Sequence, residues 1–484
     1  MECLMIDQLE SELEHITMAA KEIVVSSPGK VILHGEHSVV YGKLALAVCI
    51  NLRTKVQIRP LPAQPGNLKL HFPDLKSSYT FSVDALTALK PQESQRFRHT
   101  TFSEIWLAHS HLVAQLKTFV TSLYPHRSDD QGIIAFLFLL LVQSRKPIDP
   151  MEVTVTSEIP IGAGLGSSAA YSVAIAGALH RLNYPHRKGS LTRNSLLDQE
   201  NNNHAGLKTL QTNGVKKQKL EARISLRPNV STPNTSLVEN FSSTAQEEIC
   251  QWAFLAEKIL HGNPSGIDNS VCTFGGLLSY QSSSGKTPLK APDNLRILLI
   301  NTRVSRNTKA LVERVRSKVY EFPKVTNCIL EAMDKVSHHC LDTLTQLRKL
   351  SQVLVPLRGL ESGYGSETSG SSCNESSEDS DPNNDDEQEQ LFRKLEVLID
   401  TNQGLLSALG VSHPTLDRIQ AIAGKQNLHA KLTGAGGGGF AFALITPSHT
   451  PKQVKIVREE MESNGFDCWE TVIGGAGVQI HNAD

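Results

Sequence analysis

The sequence predicts an α+β protein of two domains. Length is the first reason, because 484 residues exceed what one hydrophobic core usually organises. Pattern is the second: segments with strand periodicity and longer segments with helical periodicity occur in both halves of the chain. The third is a pair of glycine-rich loops, at 160–170 and 431–440, each entered from a strand-like run.

Residues 1–20 are polar and weakly helical, with Leu9, Leu13 and Ile16 on one face. They are set apart as an N-terminal extension, in which Met18, followed by Ala19 and Ala20, is a candidate internal start. The first strand is expected at 22–26. Pro28-Gly29-Lys30-Val31-Ile32-Leu33-His34-Gly35-Glu36-His37 then reads as a turn, a short apolar strand and a second turn at Gly35. It brings a cation (Lys30), a carboxylate (Glu36) and an imidazole (His37) to strand ends. Taken alone, ordinary polar residues at a sheet edge account for them as well. Strands are expected at 44–50 and 54–58, and helices at 102–119 and 132–144. The second helix holds the longest apolar run, ten residues from Ile133 to Val142. A bilayer-spanning helix needs about 20, so this run predicts a buried helix.

Residues 151–158 alternate like a half-buried strand, with Val153 and Val155 on one side, and the Ala-rich segment 167–182 reads as a helix. Between them stand Gly162, Ala163, Gly164, Leu165 and Gly166, followed by Ser167 and Ser168. Strand, glycine loop and helix start, in that order, suit a phosphate. Glycines let backbone N–H groups approach a ligand, and the helix start offers unpaired N–H groups at the positive end of its dipole. The two serines add hydroxyls for phosphate or Mg²⁺. A glycine turn with a serine cap explains the same residues equally well. A P-loop is excluded because no Lys precedes Ser167, and a dinucleotide fingerprint because Ser167 stands where its third glycine belongs.

Residues 185–246 lose apolar periodicity and are expected to form a disordered insertion. An amphipathic helix follows at 247–260, with Trp252, Phe254, Leu255 and Ile259, and Gly262 and Pro264 end it. Glu257 lies on its last turn, where the helix dipole disfavours a carboxylate and a cation such as Mg²⁺ would help; a surface glutamate is the plainer reading. A buried strand is expected at 294–301, with 303–306 and Lys309 opening a helix. Segment 361–390 has ten acidic residues and no basic ones, which predicts a solvated loop. Helices are expected at 391–409 and 413–422, and strands at 428–432 and 441–445 flank the second glycine loop. A simple hairpin needs two turn residues, whereas this loop runs through six glycines and alanines from Gly434 to Gly439. The excess implies a backbone packed against a ligand or another loop.

The net charge of −1 gives no reason to expect nucleic acid or an anionic membrane as partner. Eight scattered cysteines without a Cys-x-x-Cys pair favour a reducing compartment. No secretory leader or C-terminal peroxisomal signal is visible, so a cytoplasmic location is the default expectation.

Together these segments resemble the GHMP small-molecule kinases, over residues 20–183 and 247–484. Residues 28–37 and 261–269 resemble the mevalonate kinase branch in particular, 162–170 the ATP-phosphate loop of the family and 433–439 its third motif. The resemblance implies an N-terminal domain at 21–277 and a C-terminal domain at 278–484, with the active site in the cleft between them. It implies Mg²⁺- and ATP-dependent phosphorylation of the C5 hydroxyl of mevalonate. Asp268 would accept the hydroxyl proton. Lys30 would hold Asp268 ionised and stabilise the attacking oxygen. Ser168 and Glu257 resemble the Mg²⁺ ligands. Lys30, Ser157, Gly162, Ala163, Gly164, Leu165, Gly166, Ser167 and Ser168 would contact ATP. Glu36, His37 and Ser265 would line the mevalonate pocket, with Thr308 near the cleft. Asp74 stands where the family often has an asparagine near the nucleotide, so a carboxylate replaces an amide there. The resemblance also implies a homodimer and inhibition by prenyl diphosphates that compete with ATP.

These residue types suit phosphoryl transfer, whose loose transition state asks mainly for positioning and charge neutralisation. Mg²⁺ keeps several waters, so one hydroxyl and one carboxylate suffice. Two rivals compete: another member of the family, such as phosphomevalonate kinase or galactokinase, and a catalytically dead sensor. Galactokinases continue differently after Gly-Glu-His. The presence of Lys30, Ser168, Glu257 and Asp268 argues against a dead relative.

Overall fold

Apolar side chains in the described chain settle on two sheets and the helices that cover them. The computed structural model describes residues 22–62, 66–91, 101–127, 131–144, 147–160, 164–184, 238–293, 295–354 and 382–481. The first sheet has nine strands: β1 (Ile23–His34), β2 (Ala45–Pro60), β3 (Asn67–Phe72), β4 (Ser77–Ser82), β5 (Met151–Ser157), β6 (Val238–Asn240), β7 (Leu277–Gln281), β8 (Gly285–Leu289) and, from the end of the chain, β13 (Gln479–His481). Its order is β4-β3-β5-β2-β1-β13-β6, with the β7–β8 hairpin attached to β2. The second sheet has the order β10-β11-β9-β12, formed by β9 (Arg296–Asn301), β10 (Ala430–Thr433), β11 (Phe440–Ile445) and β12 (Asp467–Val472), all antiparallel.

Six helices accompany the first sheet: α1 (Val83–Leu89), α2 (Phe102–Leu123), α3 (Gln131–Gln143), α4 (Ser167–Asn183), α5 (Ser243–His261) and α6 (Ile267–Phe274). Five follow β9: α7 (Thr308–Glu321), α8 (Pro323–Leu354), α9 (Pro382–Leu409), α10 (Pro414–Gly424) and α11 (Pro451–Ser463). Helix α4 packs on β1 and β2, and α3 and α5 pack on α4. The apolar run Ile133–Val142 is wholly buried, as its composition predicts. Among the described residues no helix is long and apolar enough to cross a membrane.

Several expectations need correction. Residues 23–34 form one strand rather than two separated by a turn. Proline has no N–H to give the ladder, and an irregularity in the register between Pro28 and Gly29 lets β1 continue past it. The strands expected at 44–50 and 54–58 are likewise one strand, β2, with Asn51 and Leu52 left out of the pairing with β1. Within the segment read as a disordered insertion, β6 pairs with β13 and α5 starts at Ser243, capped by Ser242; residues 185–237 lie outside the described residues. Helix α9 begins at Pro382, so the last acidic residues of 361–390 are helical rather than a loop. They sit at a helix N-terminus, where the dipole favours them; residues 355–381 lie outside the described residues. Residues 303–306 precede a helix rather than opening one, because Asn307 is the cap and accepts from Ala310 N at 3.1 Å. Strands β7, β8 and β13, from either side of residue 278, all join the first sheet.

The layers meet around one buried ion pair. Glu36 follows β1, Lys431 lies on β10, and both side chains are fully buried and paired. Asn402 donates to the second oxygen of Glu36 at 3.1 Å, and Lys431 also donates to the Leu432 carbonyl at 2.8 Å. Burial raises the Glu36 pKa and lowers that of Lys431, while each charge opposes the shift of the other. Removing one partner strands a charge in the interior, at a cost of about 3–5 kcal/mol. Lys431→Met is therefore expected to destabilise the protein by that amount, and Glu36→Gln in the same background to restore most of it. Denaturant unfolding of both single variants and the double variant checks this; simple additivity would show that the two groups are not coupled.

Candidate active site

The site begins where β1 touches the first glycine loop. Lys30 N donates to the Leu165 carbonyl at 2.8 Å. A Cβ on Gly29 would lie 2.8 Å from that same oxygen, so only glycine permits the approach. Gly166, at φ +74°, precedes α4, and a Cβ there would lie 2.9 Å from Lys30 Cγ. The lysine stem thus runs across the loop, and its Nζ reaches Asp268 Oδ1 at 3.2 Å. Asp268 stands in the first turn of α6, where the helix dipole favours a carboxylate. The Lys30 side chain is 8% exposed and that of Asp268 39%, so the pair is buried on the lysine side and open on the aspartate side.

Ser168 lies in the first turn of α4, and its Oγ is 2.9 Å from His261 Nε2. Glu257, on α5, is buried; it accepts from Ser172 Oγ at 3.1 Å, and its other oxygen is 3.9 Å from His261 Nε2. Burial pushes the Glu257 carboxyl above its usual range; His261 opposes this and Asp268 adds to it. Among the described residues no three His, Cys, Asp or Glu side chains cluster as a self-sufficient metal site. A buried carboxylate beside a hydroxyl nevertheless fits Mg²⁺, an oxygen-seeking ion that takes its remaining ligands from water and phosphate.

Ser157 and Asp74 come together: Ser157 N donates to Asp74 Oδ2 at 2.8 Å, and the Ser157 hydroxyl is 2.9 Å from that of Thr54. The Asp74 carboxylate is thus engaged by backbone. Gly162 and Ala163 lie outside the described residues. Ser265 is exposed ahead of α6, and Thr308 is exposed at the start of α7. Glu36 and His37 are buried among protein partners rather than presented on an open wall. His37 Nε2 is 2.8 Å from the Ala435 carbonyl oxygen, and Glu36 is committed to Lys431.

The second glycine loop closes on β1 from the other layer. Thr433 Oγ1 accepts from Ile32 N at 3.0 Å and donates to the Ile32 carbonyl at 2.9 Å. The packing expected of its glycines is present, against other loops: Gly437 N donates to the Val411 carbonyl at 2.8 Å, and Gly439 N to that of Val304 at 3.1 Å. Sequence reasoning missed two side chains. Arg306 lies against Gly164, Gly434 and Gly439, so its guanidinium joins both glycine loops, and burial lowers its pKa. His261 bridges Ser168 and Glu257. Arg306 stands in no pattern that marks it, and His261 opens the 261–269 segment without a role read for it; what brings both to the site is proximity across the fold.

Comparison with known proteins identifies the family. The model of the GHMP kinase N-terminal domain matches residues 133–207, and that of the GHMP kinase C-terminal domain matches 388–468. A mevalonate kinase from Bos taurus is 34% identical over 469 residues, covering 96% of both chains. One from Homo sapiens is 33% identical over 473 residues, again covering 96% of both. Among solved structures, the Methanococcus jannaschii mevalonate kinase aligns with a TM-score of 0.56 at 19% identity, over 94% of this chain and 99% of that one. The L. major mevalonate kinase in complex with R-mevalonate aligns with a TM-score of 0.55 at 18% identity, over 93% and 96%. The solved structures support the fold, and the full-length sequence identity supports more: the chain belongs to the mevalonate kinase family of the GHMP kinases.

Proposed function

We propose that this protein transfers the γ-phosphoryl group of ATP to the C5 hydroxyl of mevalonate. The observation that carries the reading is the Lys30–Asp268 pair, held 3.2 Å apart beside a glycine loop and a helix N-terminus. Asp268 is the group placed to take the hydroxyl proton, and its exposed side leaves it accessible to a substrate. Lys30 fixes the carboxylate and puts positive charge where the attacking oxygen gains charge. The backbone of 164–166 and the start of α4 favour the ATP phosphates. Arg306, lying against both glycine loops, adds a cation where phosphoryl charge redistributes.

Ser168 and Glu257 are the residues that would hold Mg²⁺, which supplies charge neutralisation on the phosphates when bound. His261, already in contact with both, is the side chain that would yield to it. Ser157 and Asp74 support the nucleotide side of the site, and Ser265 and Thr308 the acceptor side.

Asp268→Ala and Asp268→Asn are expected to lose turnover by about 10²–10⁴-fold while ATP binding survives. Steady-state rates set beside nucleotide titration test this, and near-normal turnover in either variant would remove Asp268 from the chemistry. Ser168→Ala and Glu257→Gln are expected to raise the Mg²⁺ concentration needed for half-maximal turnover. An unchanged Mg²⁺ requirement in both would take them out of the metal site.

A further inference from the structure

The chain passes between its two sheets at two places. Residues 290–295 lead from β8 to β9, and 473–478 lead from β12 back to β13. The crossings are tied to each other and to the first sheet: Ile473 N donates to the Leu295 carbonyl at 2.9 Å, and Gly474 N to the Cys49 carbonyl at 2.9 Å. The junction thus joins the layers covalently, alongside the side-chain contacts of Thr433 with Ile32 and Lys431 with Glu36.

A cavity of about 460 Å³ opens beside it, within the size range of small-molecule sites. Lys290 and Asp293 from the first crossing, Gly475 from the second and Arg348 from α8 contribute to its wall. No residue placed above in the catalytic machinery does. The cavity meets α6 at Phe274, at the opposite end of that helix from Asp268.

Two features point to a ligand. Lys290 and Arg348 line the same space, and among the described residues neither makes an ion pair. A pair of cations around one open cavity suits an oxyanion. Gly475 also lines the cavity, its φ is not in the left-handed region, and a Cβ there would meet no atom within 4 Å. Neither backbone conformation nor a neighbouring protein atom demands glycine at this position. Asp293 in the same wall asks for a hydrogen-bond donor on the ligand, such as a hydroxyl.

We propose that this hinge cavity binds a metabolite-sized, hydroxyl-bearing anion, and that binding regulates the enzyme by joining α8 to the first crossing and so biasing the angle between the layers. Binding itself is independent of the assigned activity; the regulatory effect rests on the kinase reading.

The test is calorimetric titration of the full chain, saturated with a non-hydrolysable ATP analogue so that the catalytic phosphate site is occupied. Inorganic phosphate and citrate serve as probes, standing for phosphate monoesters and hydroxy-carboxylates. Saturable binding of at least one is expected. Lys290→Ala with Arg348→Ala should weaken it by at least about tenfold, and Gly475→Leu should block it. Both variants should bind ATP as the parent does. Turnover of the parent should change with the bound probe, and turnover of the variants should not. No saturable binding of either probe, or binding that survives both variants, overturns the site. Binding without any effect on turnover overturns the regulatory role alone.

Discussion

The structure depends on how closely β1 approaches the loop before α4. Gly29 and Gly166 remove the side chains that would separate the two backbones, and the Lys30 amide then bonds directly to the Leu165 carbonyl. With the strand pressed on the loop, the Lys30 side chain has one route, across Gly166 to Asp268. The ammonium, the carboxylate and the helix start are therefore positioned by backbone packing rather than by flexible side chains. Catalysis that relies on positioning and preorganised charge needs that arrangement.

The second layer completes the site by gripping the same strand. Thr433 brackets Ile32, Ala435 holds His37, and Lys431 neutralises Glu36 in the interior. The conspicuous residues of the first motif thus divide their work. Lys30 reaches Asp268, while Glu36 and His37 fasten the opposing layer to β1. Arg306 shares the junction, lying against glycines of both loops. Glycine is required at Gly437 and Gly438, where a Cβ would lie 2.9 Å from Leu311 and 2.8 Å from Val304.

Much of this was legible in the sequence, and the limits are physical. Segments such as α3, α4 and β5 were readable because each carries its signal locally: α3 is an unbroken apolar run, α4 is Ala-rich without proline, and β5 alternates between a buried and a half-buried face. Lys30, Ser168, Glu257 and Asp268 could be singled out through motifs, and the fold brings Lys30 to Asp268 and both Ser168 and Glu257 to His261. The pairing of β13 with β1, the burial of Glu36 against Lys431 and the position of Arg306 were not legible, because they join residues more than a hundred positions apart with no local periodicity. The single strand β1 was hidden by Pro28-Gly29, which reads as a turn but is absorbed by a break in register. The start of α9 was hidden by acidic composition, which suits a helix N-terminus as well as it suits a loop.

The acceptor that draws the phosphoryl group from ATP defines what the enzyme does. The direct measurement is ATP consumption by the purified chain with Mg²⁺, comparing mevalonate, phosphomevalonate and galactose as acceptors. Turnover that requires mevalonate and is absent with the other two is the result predicted. Turnover with phosphomevalonate or galactose, or ATP binding with no turnover on any of the three, would contradict it.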